Sequence, residues 1–244
     1  MIDMGKKIML VTGGSSGIGE AVVKEEARRG NTVVFTYRNE ERAVKVQAEC
    51  ESAVGHVDGY RCNLVNVSEI VSLVKYVVSE YGRVDGLINC AGISNTKSWD
   101  EIDETEWDLM VDNNLKASFF LMKEVFAVMK EQGYGRMVNF TSIAGQRGGK
   151  FSGPHYCASK GGLETLVKCF ALYGAHYGIT SNAVSPGVAA TPMSVAEGIT
   201  TDDIPMGRAG TPMEMAKAAA FLAAEDAAYI TGATLDVNGG QLMR

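Results

Sequence analysis

Apolar positions in this chain switch between short unbroken runs and longer stretches spaced at a helical period. Runs at 7–12 (KIMLVT), 32–37 (TVVFTY), 57–62, 84–90 (VDGLINC), 136–141, 180–184 and 233–237 are flanked mainly by glycine or polar residues. Runs of this kind predict strands buried on both faces of a parallel sheet. Between them, 17–29, 40–52, 67–81, 115–131, 156–177 and 212–224 carry helical spacing, with Val67, Ile70, Val71, Val74 and Val78 on one face of the third. Gly30-Asn31 stops the first of these helices. Strands alternating with helices of this length need crossover connections, which are right-handed almost without exception. The pattern therefore predicts an α/β, doubly wound, seven-stranded parallel sheet with helices on both faces.

Length and composition narrow this further. The chain has 244 residues, with no linker, repeat or low-complexity block, so one domain over 1–244 is expected. The helical pattern lapses in 189–210. A loop that long in a compact α/β domain is usually a lid or binding loop, here expected to cover substrate. The 23 Lys+Arg and 29 Asp+Glu give a formal charge of −6, without a basic block, which argues against a nucleic-acid partner. No stretch approaches the length of a membrane span, and no signal-like apolar core precedes the first strand. The five cysteines (Cys50, Cys62, Cys90, Cys157, Cys169) are scattered, without zinc-site spacing. Reduced, mostly buried thiols and a cytoplasmic location are the expectation.

Thr12-Gly13-Gly14-Ser15-Ser16-Gly17-Ile18-Gly19 falls at the first strand-to-helix junction. Glycines there permit a sharp turn and a close phosphate approach, and the helix N-terminus offers unpaired N–H groups. Gly13, Ser15, Ser16, Gly17, Ile18 and Gly19 are thus the candidate pyrophosphate cradle of a Rossmann-type dinucleotide site. The spacing is Gly-x-x-x-Gly-x-Gly, and in this form the chain resembles the short-chain dehydrogenase/reductase family over essentially its whole length.

The end of the second strand discriminates the cofactor, because a carboxylate there holds the adenosine ribose in NAD-preferring enzymes. This chain has Thr36-Tyr37-Arg38-Asn39 instead. Arg38, beside Tyr37, can pair with a 2′-phosphate, so NADP(H) is the expected cofactor. Ser16 stands where many NADP-using relatives carry a basic residue, so use of NAD(H) stays open. The resemblance further implies adenine contacts from Asn63 and Leu64. It matches Asn89-Cys90-Ala91-Gly92 to the strand end beneath the cofactor, giving Asn89, Ala91 and Gly92 as contacts. It also assigns Pro186, Gly187, Val188 and Thr191 to the nicotinamide end, with the Val188 backbone meeting the carboxamide.

Of nine tyrosines only Tyr156 has a lysine four residues on, Lys160, and Ser142 lies 14 residues before it. This block is similar to the family's Ser/Tyr/Lys arrangement, and Asn114 matches its catalytic asparagine. The resemblance implies that Tyr156 and Lys160 also contact the cofactor. Reducing a ketone puts negative charge on oxygen, which must be protonated. A phenol of ordinary pKa is a poor proton-transfer group at neutral pH. An ammonium one helical turn away favours the phenolate, and a Ser142 hydroxyl can stabilise the developing charge. Cys157, next to Tyr156, is read as a packing neighbour.

The chain is most similar to 3-oxoacyl-(acyl-carrier-protein) reductases, which implies oxoacyl thioester substrates. The same chemistry on a small ketone, polyol or hydroxysteroid is the alternative. A dinucleotide-sensing protein without catalysis is disfavoured by the intact Tyr156 and Lys160. Candidate substrate contacts are Ser94, Ser142, Gln146, Arg147 and Met193, with Arg147 placed either to bind an anionic group or to face solvent. The resemblance also implies a homotetramer.

Overall fold

The computed structural model describes residues 6–149, 152–196 and 200–243. The expectations for residues 1–5 and for the lid positions 197–199 lie outside the described residues.

The seven strands are β1 (Ile8–Thr12), β2 (Thr32–Tyr37), β3 (Val57–Arg61), β4 (Gly86–Asn89), β5 (Gly135–Phe140), β6 (Ile179–Pro186) and β7 (Thr234–Val237). They form one sheet in the order β3-β2-β1-β4-β5-β6-β7, every neighbouring pair parallel. The strand order reverses between β1 and β4, and ligands of open α/β sheets bind at the carboxyl ends of such a switch.

The unbroken apolar runs are explained by the pleat, since successive side chains point to opposite faces and both are covered. Met9, Val11, Val33, Phe35, Ile88 and Val138 pack on one side with α1 (Gly17–Arg28), α2 (Glu40–Glu49) and α9 (Pro212–Leu222). Leu10, Val34, Leu87 and Met137, their immediate neighbours, pack on the other with α3 (Val67–Tyr81), α5 (Ala117–Gln132) and α7 (Pro154–Gly174). Each face thus contributes its own core of fully buried aliphatic and methionine side chains.

Two helical features depart from the expected pattern. The helix expected over 115–131 begins far earlier, as α4 (Glu104–Val111) running through a π-helical turn at 112–116 into α5. The extra residue of a π-turn shifts the phase of the apolar stripe, and the polar Asp112-Asn113-Asn114 falls on it. The remaining short helices, α6 (Ile143–Arg147) and α8 (Pro192–Ala196), span too few turns to register as a period. Helix α7 starts at Pro154, a residue suited to the first helical turn because it lacks an N–H to satisfy.

The excursion after β6 is closed at its root. Ala189 and Gly210 form an isolated parallel bridge, with Ala190 N donating to Gly210 O at 2.8 Å and Gly210 N to Val188 O at 2.9 Å. Among the described residues no helix is long and apolar enough to cross a membrane. All five cysteines are free thiols.

Candidate active site

A cavity of about 1010 Å³ opens along the carboxyl ends of the central strands, from the glycine turn at one end to Tyr156 and Lys160 at the other. Gly13, Ser15, Ser16, Gly17, Ile18 and Gly19 all line it. Gly13 (φ 65°) and Gly17 (φ 56°) adopt the left-handed conformation that glycine alone enters without strain. A Cβ on Gly19 would overlap the Gly13 carbonyl oxygen. The turn is tied to β2 through Gly13 N to Thr36 Oγ1 at 3.1 Å and Gly14 N to Thr36 O at 3.0 Å. Ser16 takes the N-cap position of α1 without capping it through its side chain. The first-turn N–H groups therefore remain available to an anion.

Tyr37, Arg38, Asn63 and Leu64 line the cavity past this turn. Arg42, one turn into α2, lines it too, and sequence reasoning missed it because it reads as an ordinary exposed helix residue. Arg61 joins Arg38 in an adjoining recess. Glu40, the nearest acid in sequence, hydrogen-bonds the Tyr37 hydroxyl and raises its pKa. Guanidinium groups thus dominate this end, with that carboxylate already engaged.

At the other end Ala91 and Gly92 form the floor. Ala91 N donates to Thr12 Oγ1 at 3.1 Å. A Cβ on Gly92 would meet Asn114 Oδ1 at 3.1 Å and Lys160 Nζ at 3.4 Å, so a bare glycine keeps this stretch open. Asn89 is placed beneath the floor, off the cavity. Its Oδ1 accepts from Thr12 Oγ1 at 2.7 Å, and its Nδ2 donates to Ser118 Oγ at 2.9 Å and Asn139 Oδ1 at 3.0 Å. Asn114, fully buried in the π-turn, clamps the β4 loop. It accepts from Ile93 N and donates to Ile93 O, both at 2.8 Å, and reaches Ser159 Oγ at 3.2 Å. Its neighbour Asn113 faces the cavity.

Ser142, Tyr156 and Lys160 share the cavity. Ser142 caps α6 by accepting from Ala144 N at 3.1 Å, and its hydroxyl can still donate. Lys160 Nζ lies 5.8 Å from the Tyr156 ring centre and donates to Phe140 O at 2.9 Å. Burial pushes the Lys160 pKa from near 10.5 down to about 8, partly offset by the nearby Cys90. Cys157 is off the cavity, and burial raises its thiol pKa.

Pro186, Gly187, Val188 and Thr191 line the wall opposite. Thr191 faces the glycine turn, where a Cβ on Gly17 would lie 3.5 Å from its methyl carbon. Val188 N donates to Gln241 Oε1 at 3.0 Å. Gln241, in the C-terminal turn, lines the same cavity and carried no local signal in the sequence. Among the substrate candidates Ser94, Arg147 and Met193 line the cavity beside Ser142. Gln146 does not, since its amide points to Ser185 Oγ at 3.0 Å and Asp236 Oδ1 at 3.3 Å.

Residues 13–241 match the family described as Enoyl-(Acyl carrier protein) reductase. The chain is 34% identical to the acetoacetyl-CoA reductase of Allochromatium vinosum, over 97% of this chain and 99% of the relative. It is 37% identical to a 3-oxoacyl-(acyl-carrier-protein) reductase of Escherichia coli, over 97% of this chain and 98% of the relative. A solved short-chain type dehydrogenase/reductase from Mycobacterium ulcerans superimposes with a TM-score of 0.91 at 26% identity, covering 96% of this chain and 89% of that one. With glycine turn, sheet order and Ser/Tyr/Lys group in one frame, the chain belongs to the short-chain dehydrogenase/reductase family of oxidoreductases.

Proposed function

We propose that the protein is an NADP(H)-dependent reductase interconverting a ketone and a secondary alcohol, with 3-oxoacyl thioesters as its substrate class. The observation that carries this reading is the Tyr156–Lys160 pair opening, with Ser142, into the cavity that begins at the glycine turn. The fit to a dinucleotide is supported by the two places where a side chain would intrude, at Gly19 and Gly92. When bound, the nicotinamide ring supplies or accepts the hydride. Tyr156 Oη gives its proton to the substrate oxygen in reduction and recovers it in oxidation, and Ser142 Oγ–H holds that oxygen as charge grows on it. The Lys160 ammonium, whose pKa burial lowers to about 8, stabilises the phenolate left behind. Asn114 positions the Gly92–Ile93 backbone that forms the floor.

Arg38 and Arg42, exposed and facing the adenosine end, favour a 2′-phosphate. The 189–210 segment, rooted at Ala189 and Gly210, acts as the lid over the substrate end. A homotetramer is supported by the apolar surface left on α5 and α7, where Phe119, Leu172 and Tyr173 are exposed. A 26.1 kDa species in light scattering at micromolar concentration would remove that assignment.

The substrate test is NADPH turnover against acetoacetyl thioesters, small ketones and steroid ketones. Thioesters should give the highest kcat/KM. Reduction of small or steroid ketones with no thioester turnover would overturn the substrate class, and no turnover of any carbonyl would overturn the reaction.

A further inference from the structure

The C-terminal turn brings a carboxamide of the protein's own to a backbone donor in the cavity wall. Asn238 fixes the turn from both sides, accepting from Gly240 N at 2.9 Å and donating to Leu242 O at 2.9 Å. Arg147, at the end of the short helix that Ser142 begins, donates through Nη1 to Gln241 O at 3.0 Å. From this anchored backbone the Gln241 side chain reaches across to Val188 N. The approach is close, since a Cβ on Gly187 would overlap Gln241 Oε1 and meet Asn238 Cβ at 2.9 Å.

A backbone N–H carries one hydrogen and makes one good hydrogen bond. The group now accepting that hydrogen is a primary carboxamide oxygen, and the nicotinamide ring of the proposed cofactor bears a primary carboxamide too. We infer that Gln241 is an internal competitor for the Val188 N–H, so that this side chain sets the affinity of the nicotinamide end of the cofactor. The inference rests on the dinucleotide reading above. Exchange of one neutral hydrogen bond for another of the same kind adds little, whereas a donor left open to the ligand adds a bond's net worth. Removing the competitor therefore strengthens binding by about two- to tenfold.

The test is calorimetric titration of wild type, Gln241→Ala and Gln241→Met with two probes. One is NADP⁺, and the other is 2′-phosphoadenosine diphosphate ribose, which is NADP⁺ without its nicotinamide. Methionine keeps the length and packing of the side chain without its amide, so it guards against a collapse of the turn in the alanine variant. NADP⁺ should bind about two- to tenfold tighter to both variants than to wild type, with the nicotinamide-free probe unchanged. An unchanged or weaker NADP⁺ affinity in both variants would overturn the inference. So would an equal change for the two probes, which reports a general loosening of the cavity. If wild type binds neither probe, it is the cofactor reading that fails.

Discussion

The two rims of the sheet handle charge in opposite ways. At the amino-terminal rim the buried charges of Arg136 and Asp85 each meet a charge of opposite sign. Arg136 in β5, only 5% exposed, is bonded to Glu225 at 3.0 Å and to the carbonyls of Gly135 and Gly178. Lys7 reaches the same Glu225 at 2.9 Å, and both cations sit over the Tyr134 ring. Asp85 accepts from Ile8 N at 2.8 Å and from Arg83 Nε at 2.8 Å. At the carboxyl rim Lys160 is equally buried, yet its ammonium donates to a backbone carbonyl, and Arg38, Arg42 and Arg147 have no carboxylate partner among the described residues. Paired charge closes one rim as structure. Unpaired charge turned into a cavity leaves the other rim poised for an anion or a developing one.

The contrast breaks most sharply at Tyr156. Tyr156→Phe should lose at least about a hundredfold in turnover, the low end for a general acid, with NADPH affinity and melting temperature kept. A loss of only a few-fold would remove the phenol from the reaction. Glu225→Ala should do the reverse. It strips the buried Arg136 of its carboxylate at a cost of about 1.5–3 kcal/mol in denaturant unfolding, leaving kcat/KM unchanged. A catalytic defect there would show that the rims are coupled.

Arg38→Ala should cut the preference for NADPH over NADH by about tenfold, equivalent to about 1.4 kcal/mol, read from kcat/KM with each cofactor. An unchanged ratio would pass the role to Arg42. Lys160→Met tests stability and its pH dependence. The lysine titrates near 8 in the fold and near 10.5 in its ordinary state. The unfolded chain thus binds more protons between those values, and this group makes stability rise with pH across that window. The variant should melt above wild type at pH 7, with the gap narrowing as pH rises from 8 to 10.5. A gap independent of pH would mean that Lys160 is not held in a disfavoured charged state.

What was legible in the sequence is what local spacing encodes. The strand runs, the glycine turn and the Tyr156–Lys160 interval each lie within one or two elements, so their geometry follows from pleat or helical pitch. The α4 segment was hidden because the π-turn at 112–116 breaks the phase that periodicity depends on. Asn89 and Gln146 announced carboxamides but not their direction, which is set by Thr12, Asn139, Ser185 and Asp236 from distant strands. Gln241 was invisible for the same reason, since its partner Val188 is 53 residues away.

The bridge between Ala189 and Gly210 closes the intervening segment into a loop of its own. Its ends are fixed to each other, so the segment leaves and rejoins the domain at one point, while Thr191 and Met193 at its start still line the cavity. Loop closure costs only about 0.6 kcal/mol per doubling of length. A change in the length of the segment beyond Thr191 and Met193 is therefore cheap in closure entropy and reshapes which carbonyl compounds enter.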